Sequence, residues 1–405
     1  LHDNQTLLEA IRHNDEIVPI YCLENPEVCP SATGLPTVGN HRRRFLIESL
    51  HNLDLGLQKL GSALLIVTGR PEHVIPKLAV KYQAQKVYTQ RLYSYQDASK
   101  DDYVERELWK THVLLNRYET GLLYEPVNLP FATKYIPDSF QNFRKRIAED
   151  SVVGSLWPSP SCINSPELDV EVLVGSQGKA RPDDQISEGW PATGEPKFGL
   201  DWRGGEQHGL ERLQDHATRA RQGVRFGSDL QETGRGLATN LSPWISLGCL
   251  SPRMVYSQIE QSHLLAGGRV RHAELISALI RRDFYAYMMK KHAGRFSALI
   301  NQVRYESIST HRDYDCFRRW IEGRTGIDNI DEKMIRLKLT GFLTNKERES
   351  VGRFLVRELE LDWRWGAYYF EHQLIDYDAC SNWGNWMELS ARSGIKDFGA
   401  SVNSG

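Results

Sequence analysis

Apolar positions over residues 1–150 fall into short β-branched runs separated by stretches of helical spacing. Ile17–Leu23, Ala63–Thr68, Lys86–Thr89 and Val113–Asn116 read as strands, and Arg42–Leu60 and Pro71–Tyr82 read as amphipathic helices. Strands alternating with helices predict an α/β domain with a parallel, Rossmann-like sheet. That sheet carries neither a G-x-G-x-x-G nor a G-x-x-x-x-G-K-[ST] segment, so both common phosphate cradles are excluded.

Between Ser151 and Gly209 the pattern gives way to Pro, Gly, Ser and Asp, as in Trp157-Pro-Ser-Pro-Ser, and the stretch reads as a surface linker. Helical spacing then runs to the end. Leu210–Arg221, Pro252–Leu264, Ala273–Lys291, Tyr314–Glu322, Asp331–Thr340, Lys346–Leu359 and Arg364–Tyr377 each repeat apolar residues every three to four positions. Ser251 before Pro252 is a good N-cap, and Asn345 is expected to cap the helix after it. The expected architecture is therefore an α/β domain over 1–150, a linker over 151–209 and an all-α domain over 210–405.

A net charge of −2 gives no global field that attracts nucleic acid, so such binding would need a local patch. The six cysteines form no C-x-x-C pair, which argues against a disulfide framework or structural zinc and for a reducing compartment: cytoplasm, nucleus or an organelle stroma or matrix. No apolar run reaches the length of a membrane span. The chain opens on Leu1-His-Asp-Asn without Met, so a preceding segment is expected.

Chemistry concentrates in Leu361–Trp386, which holds four of the ten tryptophans together with Asp376, Asp378 and Asn382. Asp378, Asn382 and Trp386 recur every fourth residue and would share one helix face. Aromatic stripes of this kind mostly pack cores. Carboxylates among tryptophans, however, require a ligand or an arginine, because burying an unpaired charge is costly. Thr239–Arg253 puts hydroxyl, amide and backbone N–H groups ahead of a helix, which suits either phosphate oxygens or an ordinary capping turn.

Taken with Leu279-Ile-Arg-Arg-Asp-Phe-Tyr285 and Leu339-Thr-Gly-Phe-Leu-Thr-Asn-Lys-Glu-Arg348, these segments resemble the photolyase/cryptochrome flavoproteins, especially the DASH-type cryptochromes, from about Leu1 to Trp386. Family members open with a strand bearing W-F-R-x-D-L-R just before a segment like Leu1-His-Asp-Asn. The resemblance implies FAD folded into the helical domain. It implies phosphate contacts from Thr239, Asn240, Leu241 and Ser242, and further cofactor contacts from Arg282, Asn345 and Arg348. Asp376 and Asp378 would meet the isoalloxazine edge and ribose region, with Arg348 neutralising Asp376, and Asn382 would face flavin N5. Phe226 stands where a tyrosine is expected near the adenine. Trp386 and Trp363 match the first two donors of the family's electron-transfer chain. A folate or other antenna chromophore is the further ligand the resemblance allows in the first domain.

Departures from the pattern matter equally. The third donor position, ahead of Trp320, is Thr310, with Tyr305 and Tyr314 nearby. Where photolyases read E-L-x-W-R-[DE]-F, this chain has Ala278 for the acid and Arg281 for the tryptophan. The flipped base thus loses a hydrogen-bond partner and a stacking face, the latter worth roughly 1–3 kcal/mol. The segment after Trp386 also departs from the family, and the chain lacks its final segment. A basic cluster of Arg281, Arg282, Lys290, Lys291, His292 and Arg295 can meet phosphates, but near-zero net charge favours a solvated face with counter-charges. The leading expectation is an FAD-binding, blue-light-responsive or redox flavoprotein with dimer repair weakened or lost. The alternatives are a light-driven photolyase on single-stranded or loop DNA and a flavin-poor scaffold that binds another protein.

Overall fold

The parallel pairing anticipated for the first domain is present in the computed structural model, which describes residues 1–24, 36–168, 202–221, 240–266, 272–303 and 311–391. Helix α1 (Gln5–Arg12) precedes β1 (Ile20–Leu23), α2 (Asn40–Lys59), β2 (Leu65–Thr68), α3 (Pro71–Lys81), β3 (Lys86–Gln90), α4 (Tyr95–Trp109), β4 (Leu114–Tyr118) and α5 (Phe140–Asp150). Strand β1 runs parallel to β2 with Ile20 opposite Leu65, and β3 runs parallel to β4 with Lys86 opposite Leu114. Among the described residues these make two separate two-stranded sheets. The apolar pattern does not announce α4 and α5. Each buries only two side chains, Val104 with Leu108 and Phe143 with Ile147, so their apolar stripes are faint.

The helical domain comprises α6 (Glu206–Arg221), α7 (Ser242–Leu247), α8 (Pro252–Ala266), α9 (His272–Lys291), α10 (Ala293–Val303), α11 (His311–Glu322), α12 (Asp328–Thr340), α13 (Asn345–Arg357), α14 (Trp363–Gln373) and α15 (Ala379–Ala391). Ser251 caps α8 as expected, accepting from the Met254 N–H at 3.0 Å. Helix α13 is capped by Thr344 rather than Asn345. The Thr344 and Glu347 side chains each accept from the other's backbone N–H, and Asn345 becomes an exposed first residue. Helix α14 also stops short of the Tyr377 suggested by spacing. Leu374 is extended, and the Ile375 N–H donates to Gly341 O at 2.9 Å, so Asp376 lies on a loop.

One large core joins both domains, running from Phe45 on α2 through Leu122–Tyr124 into α9, α14 and α15. The edge of Phe45 meets the fully buried Trp244 with ring centres 5.5 Å apart. Parts of the Pro-rich stretch also enter cores, because Ile163 and Trp202 are buried and the Ile163 N–H donates to Leu60 O at 2.7 Å.

Two buried carboxylates fasten the domains. Asp3 accepts from Arg253 Nη2 at 2.7 Å and Nε at 3.1 Å, from Ser251 Oγ at 2.5 Å and from the Trp157 N–H at 2.9 Å. Asp283 on α9, fully buried, accepts the N–H groups of Leu123 at 3.2 Å and Tyr124 at 2.8 Å. Burial is the dominant influence on Asp283 and lifts its pKa from 3.8 to about 7, despite those two hydrogen bonds and nearby Arg282. The folded chain therefore holds a proton that the unfolded chain releases. Stability falls as pH rises from about 4 to about 7 and levels above that. Asp283→Asn can accept only one of the two N–H groups, so it should cost about 1–3 kcal/mol. It should also flatten that pH dependence, which urea unfolding across the same pH range measures.

Candidate functional site

The acidic and aromatic residues singled out above converge where α13, α14 and α15 pack around the loop bearing Asp376. Arg348 Nη2 reaches both Asp376 oxygens at 2.7 Å, while its Nε donates to Leu343 O at 2.8 Å. Ser242 Oγ, at the start of α7, donates to Asp376 Oδ2 at 2.7 Å. The Asp376 side chain is 3% exposed and that of Arg348 is 22% exposed, so the ion pair is shielded without being dry. The arginine required by desolvation is present. On the far side of the loop, Arg42 from α2 places its guanidinium 4.5 Å from the centre of the Tyr377 ring.

Asn382 is buried one turn into α15 and donates from Nδ2 to Ala367 O at 3.0 Å. A carbonyl partner requires the NH₂ group there, so this bond fixes the plane of the carboxamide. Trp386, another turn along, brings its ring edge close to α14 because residue 366 is glycine. A Cβ at Gly366 would fall 2.2 Å from the indole edge.

Asp378 does not join Asp376. It caps α15, accepting from the Ser381 N–H at 2.7 Å, and lines a different cavity with Arg282, Gln90, Arg91 and Tyr93 at the domain boundary. That cavity is about 80 Å³, and two of its buried polar atoms, Tyr93 Oη and Arg282 Nε, have no protein partner. A polar space of that size holds water, which would satisfy both groups.

Of the phosphate segment, Leu241 is fully buried and Asn240 adopts φ 47° with its Oδ1 buried and without a hydrogen bond. An orphaned acceptor beside Ser242 and Asp376 is a group waiting for a polar ligand. Phe226, Thr239 and Thr310 lie outside the described residues, as does Tyr305. Trp363 is buried against Trp383 at 5.8 Å between ring centres, whereas the ring contact of Trp386 is with Phe370 at 5.2 Å.

Most of the basic cluster on and just after α9 is engaged by carboxylates, whereas Arg282 donates from Nη1 to Gly121 O at 2.9 Å. Lys290 pairs with Glu119, Lys291 with Asp138 at 2.8 Å, and His292 with the same Asp138 at 2.8 Å. Arg281 lies 4.1 Å from the Phe140 ring centre and 3.3 Å from Glu388 on α15. Burial works against its charge, but Tyr285 and Glu388 beside it hold its pKa above the ordinary value. Ala278 is exposed. Glu388 was not singled out from sequence, although its position, three residues after Asn385 on the same helix face, was a usable signal. Among the described residues there is no cluster fit to hold a metal ion and no helix long and apolar enough to cross a membrane.

Asp376→Ala should leave Arg348 and Ser242 without their shared acceptor and cost about 3 kcal/mol, the lower end for a broken buried pair, because Arg348 keeps contact with water. Denaturant unfolding of the variant beside Asp378→Ala, which removes only a helix cap worth about 1 kcal/mol, checks the contrast.

Two family models match the chain, one described as DNA photolyase over residues 1–161 and one described as the FAD binding domain of DNA photolyase over residues 275–401. A protein named cryptochrome DASH from Synechocystis is 34% identical over 400 residues, covering 95% of this chain and 78% of that protein. Its namesake from Xenopus laevis is 32% identical over 399 residues, covering 96% of this chain and 73% of its own. The crystal structure of a Synechocystis cryptochrome superposes with a TM-score of 0.84 at 31% identity, over 98% of this chain and 81% of that one.

Proposed function

Since the chain belongs to the photolyase/cryptochrome family of FAD-binding flavoproteins and is similar along most of its length to DASH-type cryptochromes, we propose that it is a blue-light-responsive or redox flavoprotein in which dimer repair is weakened or lost. The observation that carries this reading is the pairing of Arg281 with Glu388 on one side and Phe140 on the other. Where a photolyase presents an acid and a stacking tryptophan to a flipped base, this chain presents an exposed alanine and a guanidinium already engaged.

The residues present fit the flavin. Asn240, with its orphaned buried Oδ1, and Ser242 would meet the cofactor's polar groups, the Arg348–Asp376 pair would face the heterocycle edge, and Asn382 would orient toward it with its carboxamide already fixed by Ala367. FAD supplies light absorption and one-electron chemistry. The chain's part is to set the charge around the cofactor, and a guanidinium held by Asp376 through Nη2 and by Leu343 O through Nε changes little in the process. Arg282 and Asp378 sit apart at the interface cavity and serve this reading as supports of α9 and α15. The proposal concerns one cofactor, the FAD of the helical domain.

Single-stranded DNA is the partner the alternative reading needs, through Arg281, Lys290 and Lys291. Their carboxylate partners oppose it, since displacing counterions from DNA requires cations that are not already neutralised. The deciding experiment is the visible spectrum of the purified chain, followed by repair of thymine dimers in single-stranded DNA by the native protein and by Ala278→Glu/Arg281→Trp. We expect a structured flavin band and repair only in the double variant. Equal repair by the native chain establishes the photolyase reading, and absence of flavin after adding FAD leaves the protein-binding scaffold.

A further inference from the structure

An electron-transfer chain that begins at Trp386 has two ways out of the helical domain, and burial distinguishes them. One runs through Trp363, whose ring contact is Trp383, which in turn meets Tyr368 at 5.2 Å. All three are buried, with Trp383 at 1% and Tyr368 at 2% exposure, so among the described residues this branch reaches no exposed ring. The other runs from Trp386 to Phe370 at 5.2 Å, to Trp320 at 6.3 Å in a stacked pair, to Phe317 at 5.9 Å and to Trp365 at 5.5 Å. Trp365 is only partly buried.

We propose that this second branch is the exit route, with Trp320 as its transit station and Trp365 as the terminal donor, replacing the tryptophan missing at Thr310. The proposal rests on the flavin reading above. Phenylalanine is far harder to oxidise than tryptophan, so Phe370 and Phe317 bridge the hops without being stops. Trp320 is fully buried, and its Nε1–H donates to Val351 O at 3.1 Å. An amide carbonyl is a poor proton acceptor, so an oxidised Trp320 keeps its proton and passes the hole on. Trp365 meets water and can lose its proton there.

The balance is simple. When bound, FAD would supply the light-driven oxidant, and Trp386 would give up one electron to it. One electron then moves from Trp320 to Trp386 and one from Trp365 to Trp320, with no heavy-atom bond changed. The Trp365 indole releases its N–H proton to water, and an external thiol restores it with one electron and one proton. Without the thiol, oxygen traps the Trp365 radical as an oxygenated indole.

The test uses flavin-loaded native protein, Trp320→Phe, Trp365→Phe and Trp363→Phe, with flavin content read from the visible band. Each is illuminated without thiol in air, and its peptides are mapped for oxygenated tryptophan, while flash absorption follows the indole radical. We expect oxygenated Trp365 in the native chain and in Trp363→Phe, its loss in Trp320→Phe, and a radical lifetime shortened on the order of tenfold in both Trp320→Phe and Trp365→Phe. Trp365→Phe is partly exposed and keeps the fold if Trp320→Phe does not. Oxidation of Trp365 that persists in Trp320→Phe, or a lifetime that collapses only in Trp363→Phe, overturns the route while leaving the flavin reading intact. A chain that takes up no FAD removes both.

Discussion

Burying a carboxylate to 3% exposure is costly unless the protein supplies its counter-charge, and Asp376 makes that demand of the whole helical domain. Arg348 answers from α13, Ser242 from α7, and the loop between α14 and α15 carries the carboxylate itself. Three elements far apart in sequence are thereby held at one point. The arginine is in turn held by Leu343 O and lies over the Phe342 ring, 5.6 Å from its centre, so it is tied to the loop on two sides. A site built this way has its geometry before any cofactor arrives, which is the condition under which charge around a heterocycle can matter.

The same logic acts at the domain boundary with a different result. Asp3 is met by a buried arginine, Arg253, whose other amino group is 3.3 Å from Glu125, and the charges largely compensate. Asp283 has only backbone N–H groups in direct contact, with Arg282 nearby, and its carboxyl gives up part of its charge instead. Both anchor the segment 121–125 and the N-terminal turn against helices of the second domain. Moving either domain would expose a buried charge or orphan a backbone donor, which explains why a single core spans both.

Legibility in the sequence followed the strength of local signals. The strands and most helices of the second domain were evident because their apolar stripes are wide, and Arg348 with Asp376 followed from the cost of a buried charge. Helices α4 and α5 were hidden by their charged surfaces, and the cap at Thr344 lost to the more obvious Asn345. The separation of Asp376 from Asp378 was invisible for a tertiary reason. Spacing treats both as neighbours, but Gly341 O captures the Ile375 N–H and ends α14 early, so the two carboxylates face different sides of the loop. Ring contacts such as Phe370 with Trp320 cross between α14 and α11 and have no trace in any local pattern.

The substitutions around α9 gain meaning from their partners. An arginine in place of a stacking tryptophan would by itself increase attraction for a polyanion. Here Glu388 stands 3.3 Å from it, and the lysines further along the helix meet Glu119 and Asp138. Exposed pairs of this kind contribute little to stability, about 0–1 kcal/mol each, so the fold alone gives no strong reason for them. Their larger consequence is electrostatic. They neutralise what would otherwise be a positive face along α9, and carboxylates set there disfavour a polyanionic partner.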